Sequence, residues 1–168
     1  MDGSGEAALA GSERAVGPAR SSFDDVYGAE LRSIVGLAAL LVRSQAVAEE
    51  LAHDAFVRLF EHFDRVDNPA GFLRTAVVRL CLTWQRRRKT EQRLIERVGV
   101  DRPSGIPEVD ETWEALGRLD PDRRVVLVLR YYEHLRHAEI AELLGCPTAT
   151  VRSRTRRALR DLRTELTR

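Results

Sequence analysis

The sequence predicts an all-α protein made of two small helical domains joined by a flexible linker. Apolar residues recur at steps of three and four over several long stretches, which is the period of an amphipathic helix. The 168 residues include only 11 glycines and 6 prolines, which disfavours a small all-β domain rich in tight turns. Residues 98–109 concentrate both types, have almost no apolar period and separate two helical stretches.

These patterns divide the chain into four parts. Residues 1–20 are predicted to be a flexible tail, residues 21–97 a helical domain, residues 98–109 the linker and residues 110–168 a second helical domain. No apolar run approaches the roughly 18 residues that span a bilayer, and the tail lacks the features of a secretory signal. The chain has two cysteines, which lie far apart in the sequence. They exclude a disulfide scaffold or Cys-based zinc site and suit a reducing cytoplasm.

Three helices are predicted in the first domain. The first covers residues 23–42, with Ser22 as its N-cap and Asp25 three residues further on. The second runs from about residue 44 to residue 63. The third begins at Asn68-Pro69, an N-cap followed by a proline at the first helical position, and ends in the basic run at residues 86–89.

The second domain is predicted to hold further helices, one of them starting at Asp120-Pro121. Residues 125–132 could form a buried strand, but we interpret them as helical because no partner strand is apparent. Two more helices are expected near residues 136–144 and 148–166.

The last two helices form the strongest local signal, a helix-turn-helix. Ala141 is small where the helices would cross, and Gly145 suits a turn that needs positive φ. Pro147-Thr148 is expected to stop one helix and cap the next. The final helix carries short polar residues first and arginines after, as expected of a helix that enters the major groove. The alternative is a plain helical hairpin with a solvated arginine face.

Charge is segregated along the chain. Of the 27 basic residues, 26 are arginine, which binds phosphate and guanine with two-pronged geometry, although a GC-rich genome also enriches Arg. Residues 79–97 and 145–168 each carry a net charge of +5, and residues 101–122 between them carry −5. Two basic blocks separated by an acidic one indicate two contacts with a polyanion.

Residues 23–166 resemble the extracytoplasmic-function (group IV) sigma factors of the sigma-70 family of bacterial RNA polymerase. The resemblance rests on AEELAHDAFVRLF at residues 48–60, DNPAGFLR at residues 67–74 and the terminal helix-turn-helix, in that order and spacing. It implies that residues 21–97 are sigma domain 2 and residues 110–168 sigma domain 4. His53, Trp84 and Thr155 depart from the residues common in the family.

The resemblance also implies roles for individual residues. The helix that docks on the polymerase clamp would carry six contacts: Glu49, Glu50, His53, Asp54, Phe56 and Phe60. Contacts with the −10 element, including capture of a flipped base by the loop at residues 64–68, would come from Asp64, Arg65, Asn68, Arg79, Arg86, Arg87 and Arg88. Contacts with the −35 element would come from Thr148, Ala149, Thr150, Arg152, Ser153, Arg154, Arg156 and Arg157.

A sigma factor of this kind would direct polymerase to −35/−10 promoters and promote −10 melting. Its expected partners are promoter DNA and the clamp and flap regions of core RNA polymerase, with an anti-sigma factor as a possible addition. No enzymatic activity, catalytic residue, metal, cofactor, small-molecule substrate or membrane insertion is expected. The location implied is the bacterial cytoplasm, at the nucleoid when in holoenzyme.

Three other interpretations remain open at this stage. A stand-alone helix-turn-helix repressor or response-regulator output domain would need a dimer surface or a receiver domain, and neither is apparent. His53-Asp54 is the adjacent pair used by metal-dependent HD phosphohydrolases, which need further His and Asp ligands. Cys81 and Cys146 are either redox switches or, as we expect, buried inert thiols.

Overall fold

The computed structural model describes residues 22–98 and 111–167, and every regular element in these two ranges is helical. The elements are α1 (Phe23–Val42), α2 (Gln45–His62), a 3-10 turn (Phe63–Arg65), α3 (Pro69–Val98), α4 (Glu111–Arg118), α5 (Pro121–Leu127), a π-helical turn (Val128–Tyr132), α6 (His137–Leu144) and α7 (Thr148–Leu166). The all-α prediction is therefore confirmed for the described ranges. The predicted tail, and the predicted linker except its first residue, lie outside them.

Local hydrogen bonds set the start of several helices where the sequence predicted them. Ser22 Oγ accepts from the N–H of Asp25 at 3.2 Å, and the Asp25 carboxylate accepts from the N–H of Ser22 at 3.0 Å. Asn68, the residue before Pro69, accepts at its Oδ1 from the N–H of Gly71, and Asp120, the residue before Pro121, caps α5 by accepting from the N–H of Asp122. Each such cap contributes about 1 kcal/mol because it satisfies a backbone donor that the helix leaves free.

The helices α1, α2 and α3 pack together into the first unit, residues 22–98. Apolar side chains from all three helices fill its core, and the largest fully buried ones are Leu37, Leu41, Phe56, Leu59, Leu73, Val77 and Val78. Contrary to the prediction, α3 does not end in the basic run but continues to Val98. This longer helix carries the basic residues along its length instead of at its end.

The second unit, residues 111–167, contains α4 to α7, with α5 and α6 packed against α7. Val125 to Leu129, the stretch that resembled a strand, is helical and then continues as the π-helical turn. All five of these residues are buried, and a helix that is buried on every side loses the alternation by which a helix is normally recognised.

The two units contact each other through a small set of residues, which we call the inter-unit contact: Gly36, Leu41, Arg43 and Arg74 of the first unit with Gly117, Arg124, Tyr132 and Glu133 of the second. The sequence predicted two independently moving units and gave no indication of this packing. In this contact α1 packs against α5 and the π-helical turn.

Candidate nucleic-acid and polymerase interfaces

The helix-turn-helix of α6 and α7 forms as the sequence predicted. Gly145 ends α6 at φ 62° and ψ 40°, a left-handed conformation that costs a residue with a side chain more than it costs glycine. Ile140 and Val151 are fully buried between the helices, and Ala141 is also buried. The crossing is therefore tight enough to hold α7 at a fixed angle to α6.

The start of α7 differs from the prediction in one detail. Thr148 is already the first helical residue, and Pro147 holds the N-cap position without any side-chain hydrogen bond. The expectation that Thr148 caps this helix is therefore wrong. The N–H groups of Thr150 and Val151 donate to the carbonyl oxygen of Pro147 instead.

The candidate −35 residues lie on the N-terminal half of α7. Ala149, Arg152, Arg156 and Arg157 are exposed, whereas Thr148, Thr150, Ser153 and Arg154 are partly buried. Within residues 22–98 and 111–167, none of the four arginines makes a side-chain hydrogen bond or ion pair. The structure therefore presents all eight residues on one segment of helix, with its positive charge unneutralised by described neighbours.

The acidic residues of α7, unlike these arginines, form ion pairs. Asp161 pairs with Arg123 and also lies 3.9 Å from Arg160, and Glu165 lies 3.7 Å from Arg118. Both carboxylates stand in the C-terminal half of the helix, beside cations of α4 and α5. The carboxylates of the C-terminal half of α7 therefore pair with cations of their own unit, whereas the four arginines of the N-terminal half have no carboxylate partner among the described residues.

Thr155, one of the departures from the family pattern, has a packing explanation. It is only 6% exposed, and its Oγ1 donates to the carbonyl oxygen of Val151 at 2.9 Å. This bond satisfies the hydroxyl inside its own helix, so a buried threonine is tolerated behind the basic face.

The candidate −10 residues fall in two places in the first unit. Asp64, Arg65 and Asn68 lie in the loop between α2 and α3, and all three are exposed. This loop and the N-terminal half of α1 line an open cavity of about 940 Å³. Besides Asp64, the cavity is lined by the carboxylates of Asp25, Glu30 and Asp67.

The other −10 candidates lie along α3. Arg79, Arg86, Arg87 and Arg88 are all exposed. The guanidinium carbon of Arg88 sits 5.1 Å from the centre of the Trp84 ring, a cation–π contact that holds this arginine along the helix. The described side chains offer no carboxylate partner to these four cations.

The exposed face of α2 carries most of the candidate polymerase contacts. Glu49, Glu50, His53 and Asp54 are exposed, and Phe60 is 67% exposed. Val57, which the sequence analysis missed, is 44% exposed one helical turn from Asp54. Its only sequence signal is its position off the buried stripe of α2.

Phe56 does not belong to this face. It is 2% exposed and packs against the rings of Phe23 and Tyr27, with ring centres 6.5 and 4.8 Å away. Phe56 therefore lies in the core of the first unit and not on the exposed face where the resemblance implied a contact with the polymerase clamp. Phe56 and Phe60 are one helical turn apart and both rings contact Phe23 of α1, but only Phe56 is buried.

The enzyme-like and redox-like signals gain no support from the structure. His53 and Asp54 are exposed on α2, and no group of three or more possible metal ligands occurs among the described residues. Cys81 is fully buried, and burial raises the pKa of its thiol to about 12. Cys146 is partly exposed beside the turn glycine, so the expectation that this second thiol is buried is wrong. No helix in the described ranges is long and apolar enough to cross a membrane.

Together, the exposed basic helix-turn-helix and the second basic helix define a two-part helical protein of the DNA-binding class. Comparison with known families agrees: residues 26–91 match the family model "Sigma-70 region 2", and residues 110–162 match "Sigma-70, region 4". The chain belongs to the sigma-70 family, in its extracytoplasmic-function group.

Individual relatives extend the match beyond the two regions. The RNA polymerase sigma-E factor of Streptomyces avermitilis is 30% identical over 152 residues, covering 86% of this chain and 84% of that protein. The probable RNA polymerase sigma factor RfaY of Xanthomonas campestris pv. campestris is 29% identical over 164 residues. This alignment includes 88% of the present chain, but the chain spans only 41% of the length of that relative.

A solved structure shares the fold. It is the sigma factor RpoE in complex with the anti-sigma factor NepR from Bartonella quintana, with a TM-score of 0.70 and 22% sequence identity. The match covers 86% of this chain and 96% of that one.

Proposed function

We propose that this chain binds core RNA polymerase, directs it to promoters with −35 and −10 elements, and promotes strand opening at the −10 element. The observation that carries the proposal is the free arginine face of α7, on a helix-turn-helix whose acids are already paired within the unit. A polyanion is the partner that such a surface lacks, and the N-terminal half of α7 has the residues to reach both base edges and phosphates.

The first unit supplies the contact with the −10 element. The arginines of α3 would hold phosphates, and the cavity beside the loop at residues 63–68 would receive a base that has left the stack. Unstacking a base costs a few kcal/mol, so a pocket and a basic track that bind the opened strand favour melting. In this scheme the chain catalyses no reaction and needs no cofactor, because binding energy alone shifts the equilibrium toward open DNA.

Polymerase docking is assigned to the exposed acidic and apolar face of α2. Phe60 and Val57 provide an apolar centre, and Glu49, His53 and Asp54 surround it with polar groups. Interfaces commonly combine an aromatic anchor with such a rim. The second unit would reach the flap of the polymerase, and an anti-sigma protein is a further partner, by analogy with the RpoE relative. All of these contacts would form in the bacterial cytoplasm.

The test is initiation in vitro with core polymerase from Streptomyces avermitilis, the source of the 30% identical relative, and a promoter library, followed by sequencing of the transcript 5′ ends. The chain should co-elute with the core enzyme and yield transcripts that share −35 and −10 elements. Phe60→Asp should abolish co-elution, whereas Leu166→Asp, an equal change at a side chain that is 46% exposed at the end of α7, should not. A chain that ignores the core enzyme and binds a duplex palindrome alone would be a repressor instead.

A further inference from the structure

Thr90 lies directly after the basic run of α3. Its hydroxyl has a positive charge at each of the four preceding positions, which are Arg86, Arg87, Arg88 and Lys89. Thr90 is exposed, and its Oγ1 donates to the carbonyl oxygen of Arg86 at 3.0 Å. An exposed hydroxyl behind several basic residues is the kind of acceptor that a protein kinase with an acidic cleft selects by charge.

Two other threonines of the described chain have only part of this combination. Thr155 follows two nearby arginines, but it is only 6% exposed and its hydroxyl is bonded inside α7. Thr83 is exposed on α3 and makes the same bond to the carbonyl oxygen one turn back, at 2.9 Å. The four residues before it, however, are one arginine and three apolar residues. Thr90 therefore has both the access that Thr155 lacks and the charge that Thr83 lacks.

The segment around Thr90 can enter a kinase cleft without disturbing the core of the first unit. Residues 86–91 are all exposed, so more than one full turn of α3 has no buried side. The helix is anchored before this segment, where Cys81 is fully buried and Trp84 packs against the core. A segment without buried apolar contacts opens locally at a low cost in free energy, as a kinase that binds an extended acceptor requires.

Resting on the function proposed above, we infer that Thr90 is a phosphorylation site for a Ser/Thr kinase that selects basic substrates, and that the phosphate weakens the −10 contacts of α3. In this reaction Oγ1 of Thr90 forms a bond to the γ-phosphorus of ATP while the bond from that phosphorus to the β–γ bridging oxygen breaks. ADP leaves, and the hydroxyl proton passes to a base of the kinase. The chain itself supplies the acceptor and the charges that mark it.

A phosphate on Thr90 acts on the arginines beside it. It carries a charge of about −1.5 to −2 at neutral pH, so the net charge of residues 86–91 falls from +3 to about +1. Residues three and four positions apart on a helix are neighbours, which brings Arg87 and Arg86 within reach of the phosphate oxygens. Guanidinium–phosphate pairs are strong charge-assisted hydrogen bonds. Two of the arginines proposed to hold −10 phosphates would then bind this phosphate instead.

The first measurement asks whether Thr90 is the acceptor. The full chain is incubated with ATP and the catalytic subunit of cyclic-AMP-dependent protein kinase, which selects basic substrates, and its peptides are mapped by mass spectrometry. A single phosphate is expected, on Thr90. Thr90→Val should abolish it, and Thr83→Val, the matched change on the same helix, should leave it intact. A chain that takes no phosphate, or takes it on another hydroxyl with Thr90 unmodified, would overturn the site.

The second measurement asks whether the phosphate weakens the −10 contacts. Both forms of the chain are bound to core polymerase on a promoter from the library above, and open DNA is measured by permanganate oxidation of unpaired thymines. Phosphorylation should reduce open complex about tenfold through the loss of two phosphate contacts. Kinase-treated Thr90→Val should open DNA as the unmodified parent does, and a duplex with only the −35 element should bind both forms equally. Equal opening by the two forms would show that the phosphate does not regulate this surface.

A third measurement does not depend on promoter function. Binding to a mixed-sequence single-stranded oligonucleotide should weaken on phosphorylation. The slope of log affinity against log salt should fall by about 1.4, at roughly 0.7 for each phosphate contact on a single strand. If neither form opens a promoter, the proposed function fails, while this slope still reports whether the phosphate neutralises Arg86 and Arg87. An unchanged slope would overturn that neutralisation.

Discussion

The guanidinium of Arg124 donates to the carbonyl oxygen of Leu41, which joins the second unit to the last turn of α1. The same guanidinium donates to three carbonyl oxygens in its own unit, those of Leu116, Gly117 and Leu119, at 2.9 to 3.1 Å. One buried cation thus gathers backbone acceptors from the ends of two helices. Burial lowers its pKa to about 10, which leaves it charged at neutral pH.

Loss of these donors should destabilise the fold. Arg124→Met keeps the length of the side chain but leaves buried carbonyl oxygens without a donor, so we expect a loss of about 2–4 kcal/mol in the free energy of unfolding. Arg124→Lys keeps the positive charge but can form fewer of the hydrogen bonds, so its free energy of unfolding should fall by about half as much. Urea denaturation measures both. A Met variant as stable as the parent would show that these oxygens need no donor.

Phe56 and Phe60 should separate stability from polymerase binding. Phe56→Ala removes a fully buried ring and should cost about 3–5 kcal/mol of stability. Phe60→Ala removes a mostly exposed ring, whose closest ring contact is Phe23 at 5.1 Å, and should cost less than about 1 kcal/mol.

The affinity for core polymerase should show the opposite ranking, with the larger loss in Phe60→Ala and the smaller in Phe56→Ala. Phe60→Ala should weaken it by about 2 kcal/mol or more, roughly thirtyfold, if the ring is the anchor of the interface. Folded Phe56→Ala should retain the parent affinity. Titration of labelled protein with core enzyme, beside thermal unfolding of each variant, gives both quantities. Equal affinities for the parent and Phe60→Ala would remove Phe60 from the interface.

Cys81 should make the protein less stable at high pH. Its thiol pKa is raised from 9.0 to about 12 by burial, so the folded chain keeps a proton that the unfolded chain releases above pH 9. Stability should therefore fall between pH 9 and pH 12, by up to about 1.4 kcal/mol per pH unit from this group.

The control for that prediction is Cys81→Ala, which has a cavity but no titrating thiol. Its stability should be lower at neutral pH and should approach that of the parent as the pH rises. At pH 8, a maleimide reagent should label partly exposed Cys146 and leave Cys81 unmodified in the folded chain. Parallel pH curves for the two proteins, or rapid labelling of Cys81, would contradict its assignment as an inert buried thiol.

Local signals in the sequence were sufficient for most of the helices, because caps such as Ser22, Asn68 and Asp120 involve neighbours within three residues. Local signals were insufficient to predict that Phe56 is buried. Apolar spacing identifies both Phe56 and Phe60, but only the position of α1 decides which ring is covered. The inter-unit contact was also out of reach, because its acceptor at Leu41 is a backbone oxygen, a group that every residue carries.

The last prediction divides the DNA contacts between the units. Arg152 is exposed one turn into α7, beside Thr148 and Ala149 at the end of the helix that would enter the major groove. Arg156 stands one turn further on, on the same side of the helix. We expect Arg152 to contribute to base readout, and Arg156 and Arg157 to hold phosphates.

Arg152→Ala should cost about 1–3 kcal/mol and relax the preference at one −35 position. Arg156→Ala should weaken binding to all promoters alike and reduce the salt dependence by roughly one unit of slope. Arg87→Ala should impair opening of the −10 element and leave the −35 preference unchanged, because it lies on α3 of the other unit. Selection from a promoter library with each protein measures these effects together. An unchanged −35 preference with Arg152→Ala, or an altered one with Arg87→Ala, would show that this division between α7 and α3 is wrong.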